Sequence, residues 1–200
     1  MVLFATDNNG VIVELPSASG GAATLSGSLI FGIGTESNNQ LPSSTTVFTL
    51  ACDYFTTVFD GKSLGITDAT TCAGPGSFID SGSNTLAFPN IPNIPVCPSN
   101  TTVGNLSGFY CPTTTETFSA TNEGEDGTSK STSFSVANAQ DIFIDAATSS
   151  DAVQPLLAGP SPSGYGFDWG LPFFYGVNVY NAIDGQSVPT GAPAAPWWAY

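Results

Sequence analysis

The sequence has no histidine and no arginine, and Lys62 and Lys130 are its only basic residues against sixteen acidic ones, for a formal net charge of −14. Without a basic patch the chain cannot neutralise phosphates, which argues against nucleic acid as a partner. Anionic membrane surfaces are disfavoured on the same ground. Without histidine there is no Ser-His-Asp or Cys-His catalytic pair and none of the common zinc sites. A cysteine-only zinc site needs close pairs, and Cys52, Cys72, Cys97 and Cys111 are spaced too widely for one. No apolar run approaches membrane-spanning length. The first residues, Met1 to Asp7, lack the charged start and long apolar stretch of a signal peptide, so any export signal is expected upstream.

Chemistry in such a chain must run on carboxylates, hydroxyls or a borrowed group. An even number of cysteines, abundant Ser, Thr, Gly and Asn, and few charges point to an extracytoplasmic protein, whether secreted, periplasmic or cell-surface. Two hundred residues fit a single domain with a real core.

The dominant period is two, with frequent turn signals, so the expected fold is mostly β. Asn8-Asn9-Gly10 reads as a tight turn before the strand Val11 to Leu15, and Leu25 to Ile33 as a glycine-interrupted strand. Val47 to Val58 is rich in β-branched and aromatic residues, and Asp60-Gly61 predicts a hairpin into Lys62 to Ile66. Prolines between Pro89 and Pro98 exclude a long helix there. Phe118 to Phe134 predicts two strands joined by the acidic tip Asn122 to Gly127, which lacks the alternation and closing Glu of a calcium loop. Asp141 to Leu157 is the one plausible helical stretch, and Phe167 to Ile183 reads as buried, aromatic-rich strand. Trp197-Trp198 is expected to dock the terminus onto the domain rather than to stack a sugar.

One segment stands apart: Phe78-Ile79-Asp80-Ser81-Gly82-Ser83-Asn84-Thr85-Leu86-Ala87-Phe88-Pro89. A tight loop through Gly82 can aim backbone N–H groups at the Asp80 carboxylate, and Ser81 and Ser83 add hydroxyls. Its small residues let a second copy of such a loop approach closely. Two carboxylates so placed share one proton, because like charges at contact cannot both ionise. Such a pair can activate water and protonate an amide.

This segment resembles the second active-site motif of the pepsin-like aspartic peptidases, two apolar residues and then Asp-[Thr/Ser]-Gly-[Thr/Ser], with Pro89 at the family's spacing. Gly27-Ser28-Leu29-Ile30-Phe31-Gly32 is similar to the glycine-rich strand near the start of that family's C-terminal lobe, and the Asp60-Gly61 hairpin to the one before the second aspartate. Trp169-Gly170-Leu171-Pro172-Phe173-Phe174 resembles the segment that crosses beneath the catalytic loop, with Gly170 matching the family glycine. The chain also resembles a family of uncharacterised secreted bacterial proteins, through Phe31-Gly32-Ile33-Gly34, Asp80-Ser81-Gly82-Ser83-Asn84 and Phe167-Asp168-Trp169-Gly170-Leu171-Pro172-Phe173-Phe174.

The resemblance implies an all-β pepsin-like C-terminal lobe over residues 1–200, with orthogonally packed sheets and few short helices. It implies half of an aspartic endopeptidase, with Asp80 as one dyad member, Ser81, Gly82 and Ser83 orienting it, Trp169 and Gly170 supporting the loop, and no metal or cofactor. The partners so implied are an N-terminal lobe of the same parent protein and a peptide or protein substrate; a homodimer pairing two copies of Asp80 is a weaker reading. The alternative function is a secreted or envelope-attached binding protein that uses the same cleft without catalysis. The chain departs from the family's pattern at Asp168, where an apolar residue is usual, at Asn84, and in having no second Asp-[Thr/Ser]-Gly motif. Four cysteines allow three connectivities. The expected pairs are Cys52–Cys72, which flank the Asp60-Gly61 hairpin, and Cys97–Cys111, which bracket the loop where the resemblance implies a bridge.

Overall fold

Strong period-two patterning with turn residues every few positions leaves little choice but short strands, and a computed structural model shows them throughout residues 3–145 and 150–200, the residues described. The chain runs β1 (Gly10–Glu14), β2 (Ser28–Phe31), β3 (Val47–Thr49), β4 (Thr56–Phe59), β5 (Lys62–Leu64), β6 (Phe78–Ile79) and β7 (Leu86–Phe88). It continues through β8 (Glu116–Glu123), β9 (Ser129–Val136) and the helix α1 (Ala139–Ile144) to β10 (Ala158–Pro160) and β11 (Asp168–Trp169). The short helix α2 (Leu171–Phe174), β12 (Asn178–Ala182) and β13 (Trp197–Ala199) complete it. The fold is all-β with short helices.

Among the described residues the strands form three sheets. One has the order β2-β1-β12-β13-β3 and is antiparallel throughout. The second, β5-β4-β8-β9, is also antiparallel. The third, β10-β7-β11-β6, mixes parallel and antiparallel pairs and carries the Asp80 loop.

Local chemistry explains the hairpins. Asp60 and Gly61 both take positive φ (47° and 72°), the geometry that matches the twist of the flanking strands and that Asp and Gly tolerate best. Across β8 and β9, Phe118 opposes Phe134 with ring centroids 5.7 Å apart, while hydroxyls of Thr117 and Ser135 pair on the other face. The main core is aromatic. Phe59 meets Phe88 and Phe167 edge-on, Phe88 stacks on Phe167, and Phe167 stacks on Trp169 at 4.8 Å.

A buried polar chain crosses this core. Thr57 donates to Asn122 at 2.7 Å, and Asn122 donates to the Tyr200 hydroxyl at 2.9 Å; Thr57 and Asn122 are both fully buried. Such groups are tolerated because each is partnered. Lys130 donates to the Tyr200 carbonyl and sits over its ring.

Three local expectations are corrected. Asn8-Asn9-Gly10 is no isolated turn: Gly10 lies in β1, where a Cβ would come 2.6 Å from the Asn181 carbonyl oxygen. Asn9 is buried, donating to Ile33 and Ser187 carbonyls and accepting from the Ile33 amide. The α1 helix starts earlier than residue 141, because Asn138 caps it by accepting from the Gln140 and Asp141 amides, and it stops at Ile144. The expected helical stretch also covered 146–149, which lie outside the described residues. Phe167 to Ile183 is not one strand, since α2 interrupts it, with Pro172 early in the helix where its missing N–H is harmless. Trp197 is fully buried as part of β13.

Both expected disulfides are present, Cys52–Cys72 with Cα atoms 5.7 Å apart and Cys97–Cys111 at 4.9 Å. They fit an oxidising, extracytoplasmic environment. No helix among the described residues is long and apolar enough to cross a membrane. Loop entropy favours the first bridge only slightly, since sequence separations of 20 and 14 differ by about 0.3 kcal/mol. Burial decides the order instead: Cys97 lies in a core cluster with Leu106, Ala139 and Leu157, whereas Cys72 is exposed. Urea unfolding should therefore show a larger loss for Cys97→Ala/Cys111→Ala than for Cys52→Ala/Cys72→Ala, around a central value of about 3 kcal/mol per bridge.

Candidate functional site

Asp80 follows directly on β6, and the chain turns through Ser81 to Asn84 before returning as β7. The two arms do not pair with each other. Strand β11 lies between them, parallel to β6 through Asp168↔Phe78 and Trp169↔Ile79, and antiparallel to β7 through Asp168↔Ala87. The Asp80 amide donates to the Trp169 carbonyl at 3.2 Å, and the Leu171 amide to the Ser83 carbonyl at 2.7 Å. The later segment is thus bonded to the loop on both sides of Gly170.

The loop leaves no room for a side chain at Gly170. A Cβ there would overlap the Thr85 carbonyl oxygen and lie 2.7 Å from that of Ser83. These are backbone atoms, which cannot swing aside.

Asp80 is half-buried, and two donors aim at its carboxylate. The Gly82 amide donates to Oδ1 at 2.8 Å, and the Ser83 hydroxyl reaches Oδ2 at 2.9 Å. Ser81, expected to share this role, is exposed, and the donors that reach the carboxylate are Gly82 and Ser83. Asp80 lines an open hollow of about 520 Å³ with Asp53, Tyr54, Asp184 and Trp198. A second hollow, of about 440 Å³, is lined by β9 with Phe173 and Tyr200 and includes neither Asp80 nor Asp168. Among the described residues no three carboxylates or thiols come together as a metal site needs.

In the sequence Asp168 stands out only as a departure from the family pattern. The structure puts its Oδ2 2.7 Å from the same Ser83 hydroxyl that reaches Asp80. The sequence signals only the face on which Asp168 lies, not its partner. Alternation along Phe167-Asp168-Trp169 buries both aromatics in the core and turns the residue between them to the opposite face of the strand. Asp168 Oδ1 is buried with no hydrogen-bond partner. Burial pushes the Asp168 carboxyl above the usual aspartate range, a Ser83 hydroxyl that donates to the ionised form would pull the other way, and the charge on Asp80 adds to the upward shift.

Two outcomes follow. Gly170→Ala should destabilise the chain by more than about 3 kcal/mol in urea melts. Gly82→Ala, whose Cβ would meet only the Asp80 carboxyl, nearest at Oδ1 (3.1 Å), should cost no more than about 1 kcal/mol. The raised value for Asp168 means the folded state holds this proton more tightly than the unfolded chain. The associated stability is complete below the unfolded value of 3.8 and is lost as pH rises through the folded value. Asp168→Asn, which mimics the neutral carboxyl, should therefore gain on the wild type as pH rises across that window, and pH-resolved unfolding curves that stay parallel would contradict it.

No curated protein and no solved structure matches the chain. Residues 1–200 match a family model described as "Protein of unknown function (DUF3443)", and with its full length covered the chain belongs to that family.

Proposed function

We propose that this chain is a pepsin-like lobe with orthogonally packed sheets, and that it supplies one half of the active site of a secreted, two-lobed aspartic endopeptidase. The observation that carries the reading is the passage of β11 between the two arms of the Asp80 loop, with Gly170 pressed against the loop backbone. That is the arrangement implied by the resemblance of Trp169-Gly170 to the crossing segment. The Gly82 amide and the Ser83 hydroxyl then act as the fixed donors that hold the carboxylate at the mouth of its hollow.

In this reading a second carboxylate comes from an N-terminal lobe of the same parent protein. The ionised member of the dyad takes a proton from water, whose oxygen attacks the peptide carbonyl carbon. The protonated member gives its proton to the carbonyl oxygen. The first carboxyl then passes the water proton to the amide nitrogen as the C–N bond breaks, and the second takes back a hydroxyl proton from the tetrahedral diol. Asp168 is not the dyad partner, because it stands behind the Ser83 hydroxyl and does not line the hollow that Asp80 does.

The test is proteolysis of a denatured protein at acid pH by three species: the parent protein, its Asp80→Asn form, and residues 1–200 alone. The parent should cleave, the substitution should lower the rate by at least about a thousandfold, and the single lobe should be inactive at every pH. Cleavage by the monomeric lobe would overturn the half-site. Cleavage that survives Asp80→Asn would remove Asp80 from the mechanism. A parent that binds peptides but never cuts them would favour the binding protein.

A further inference from the structure

A hydroxyl carries one proton. The Ser83 oxygen nevertheless lies at hydrogen-bond distance from two carboxyl groups, 2.9 Å from Asp80 Oδ2 and 2.7 Å from Asp168 Oδ2. If both carboxyls were ionised, one of those contacts would place two oxygens together with no hydrogen between them. One carboxyl must bring its own proton. The remaining oxygens decide which. Asp80 Oδ1 accepts the Gly82 amide, so a charge on Asp80 has donors on both oxygens. Asp168 Oδ1 is buried without a partner, where a share of negative charge would go uncompensated.

We propose that Asp168 is the proton-holding residue of this site: its neutral carboxyl donates to the Ser83 hydroxyl oxygen, whose own hydrogen is given to Asp80. The chain Asp168–Ser83–Asp80 then carries one carboxyl proton and one charge, with the charge on Asp80. Asp168 is a positioning residue that acts through Ser83. This deepens the peptidase reading, and its catalytic consequence rests on that reading: Asp80 is fixed as the ionised member of the dyad, and the dyad proton belongs to the carboxyl of the other lobe.

The surroundings leave this chain in control of its own titration. The strands on either side of β11, Phe78–Ile79 and Leu86–Phe88, carry no titratable side chain, and neither does α2, which follows Gly170. The charge that acts on Asp168 is that of Asp80. As pH rises and Asp168 loses its proton, two charges compete for one hydroxyl hydrogen, and Asp80 loses its exclusive donor.

The experiment is a carboxyl-carbon NMR titration of residues 1–200, comparing wild type, Asp80→Asn, Ser83→Ala and Ser83→Thr. The Asp168 carbon should titrate above the usual aspartate range. Asp80→Asn should move it down by removing the neighbouring charge. Ser83→Ala should also move it down, because the neutral carboxyl loses its acceptor, and Ser83→Thr should keep the wild-type curve. An upward move in Ser83→Ala would show Ser83 giving its proton to an ionised Asp168 and would overturn the assignment. So would an Asp168 that titrates in the ordinary range and ignores Asp80→Asn, an arm that stands even if Ser83→Ala does not fold. No proteolysis is involved. Failure of the parent to cleave leaves the carboxyl pair standing, and failure of the titration leaves the peptidase reading standing.

Discussion

The contact on which the rest of the site depends is the one between Gly170 and the carbonyls of Ser83 and Thr85. Strands β6 and β7 could have closed as a simple hairpin. Instead β11 enters between them, so that each arm spends its hydrogen bonds on a segment far along the chain. Opening a loop held this way would break backbone hydrogen bonds to another strand. Phe167 and Trp169 anchor that strand in the aromatic core. The Asp80 carboxylate thus inherits its position from a strand anchored in the aromatic core.

The electrostatics follow from the same insertion. A chain with only two lysines has few cations to place beside a half-buried carboxyl: Lys130 is engaged with Tyr200, and Lys62 is exposed on β5. Neutralisation by a proton is then the inexpensive alternative to pairing with a base. Asp168 illustrates this: its charge would be unsupported at Oδ1, and its proton has a ready acceptor at Ser83.

How much of this could be read from the sequence depended on distance along the chain. Features set by adjacent residues were legible: the Asp60-Gly61 turn, the alternation of β8 and β9, and the Gly82 amide two positions from its carboxylate. The α1 start was readable in principle from Asn138 as a cap, but weak helical pattern around it hid the signal. Aromatic density between Phe167 and Ile183 suggested continuous strand because burial, not backbone conformation, is what such residues report. Asn9 reads as a turn residue by type, and only tertiary contacts with Ile33 and Ser187 make it a buried clamp. The Asp168–Ser83 contact spans 85 positions, and no local rule encodes it.

That separation has a kinetic consequence. The hairpins and the Cys97–Cys111 loop join residues near in sequence, whereas the β1–β12 and β6–β11 pairings join distant ones. Long-range pairings of this kind make folding slow, because loop-closure entropy is spent before the contacts repay it. Asp80 acquires Gly82 and Ser83 as soon as its own loop forms, but it meets Asp168 only when the last third of the chain has threaded between β6 and β7. Any form of the chain in which β11 is not yet paired with β6 and β7 therefore lacks the neighbour that completes the ionic environment of Asp80.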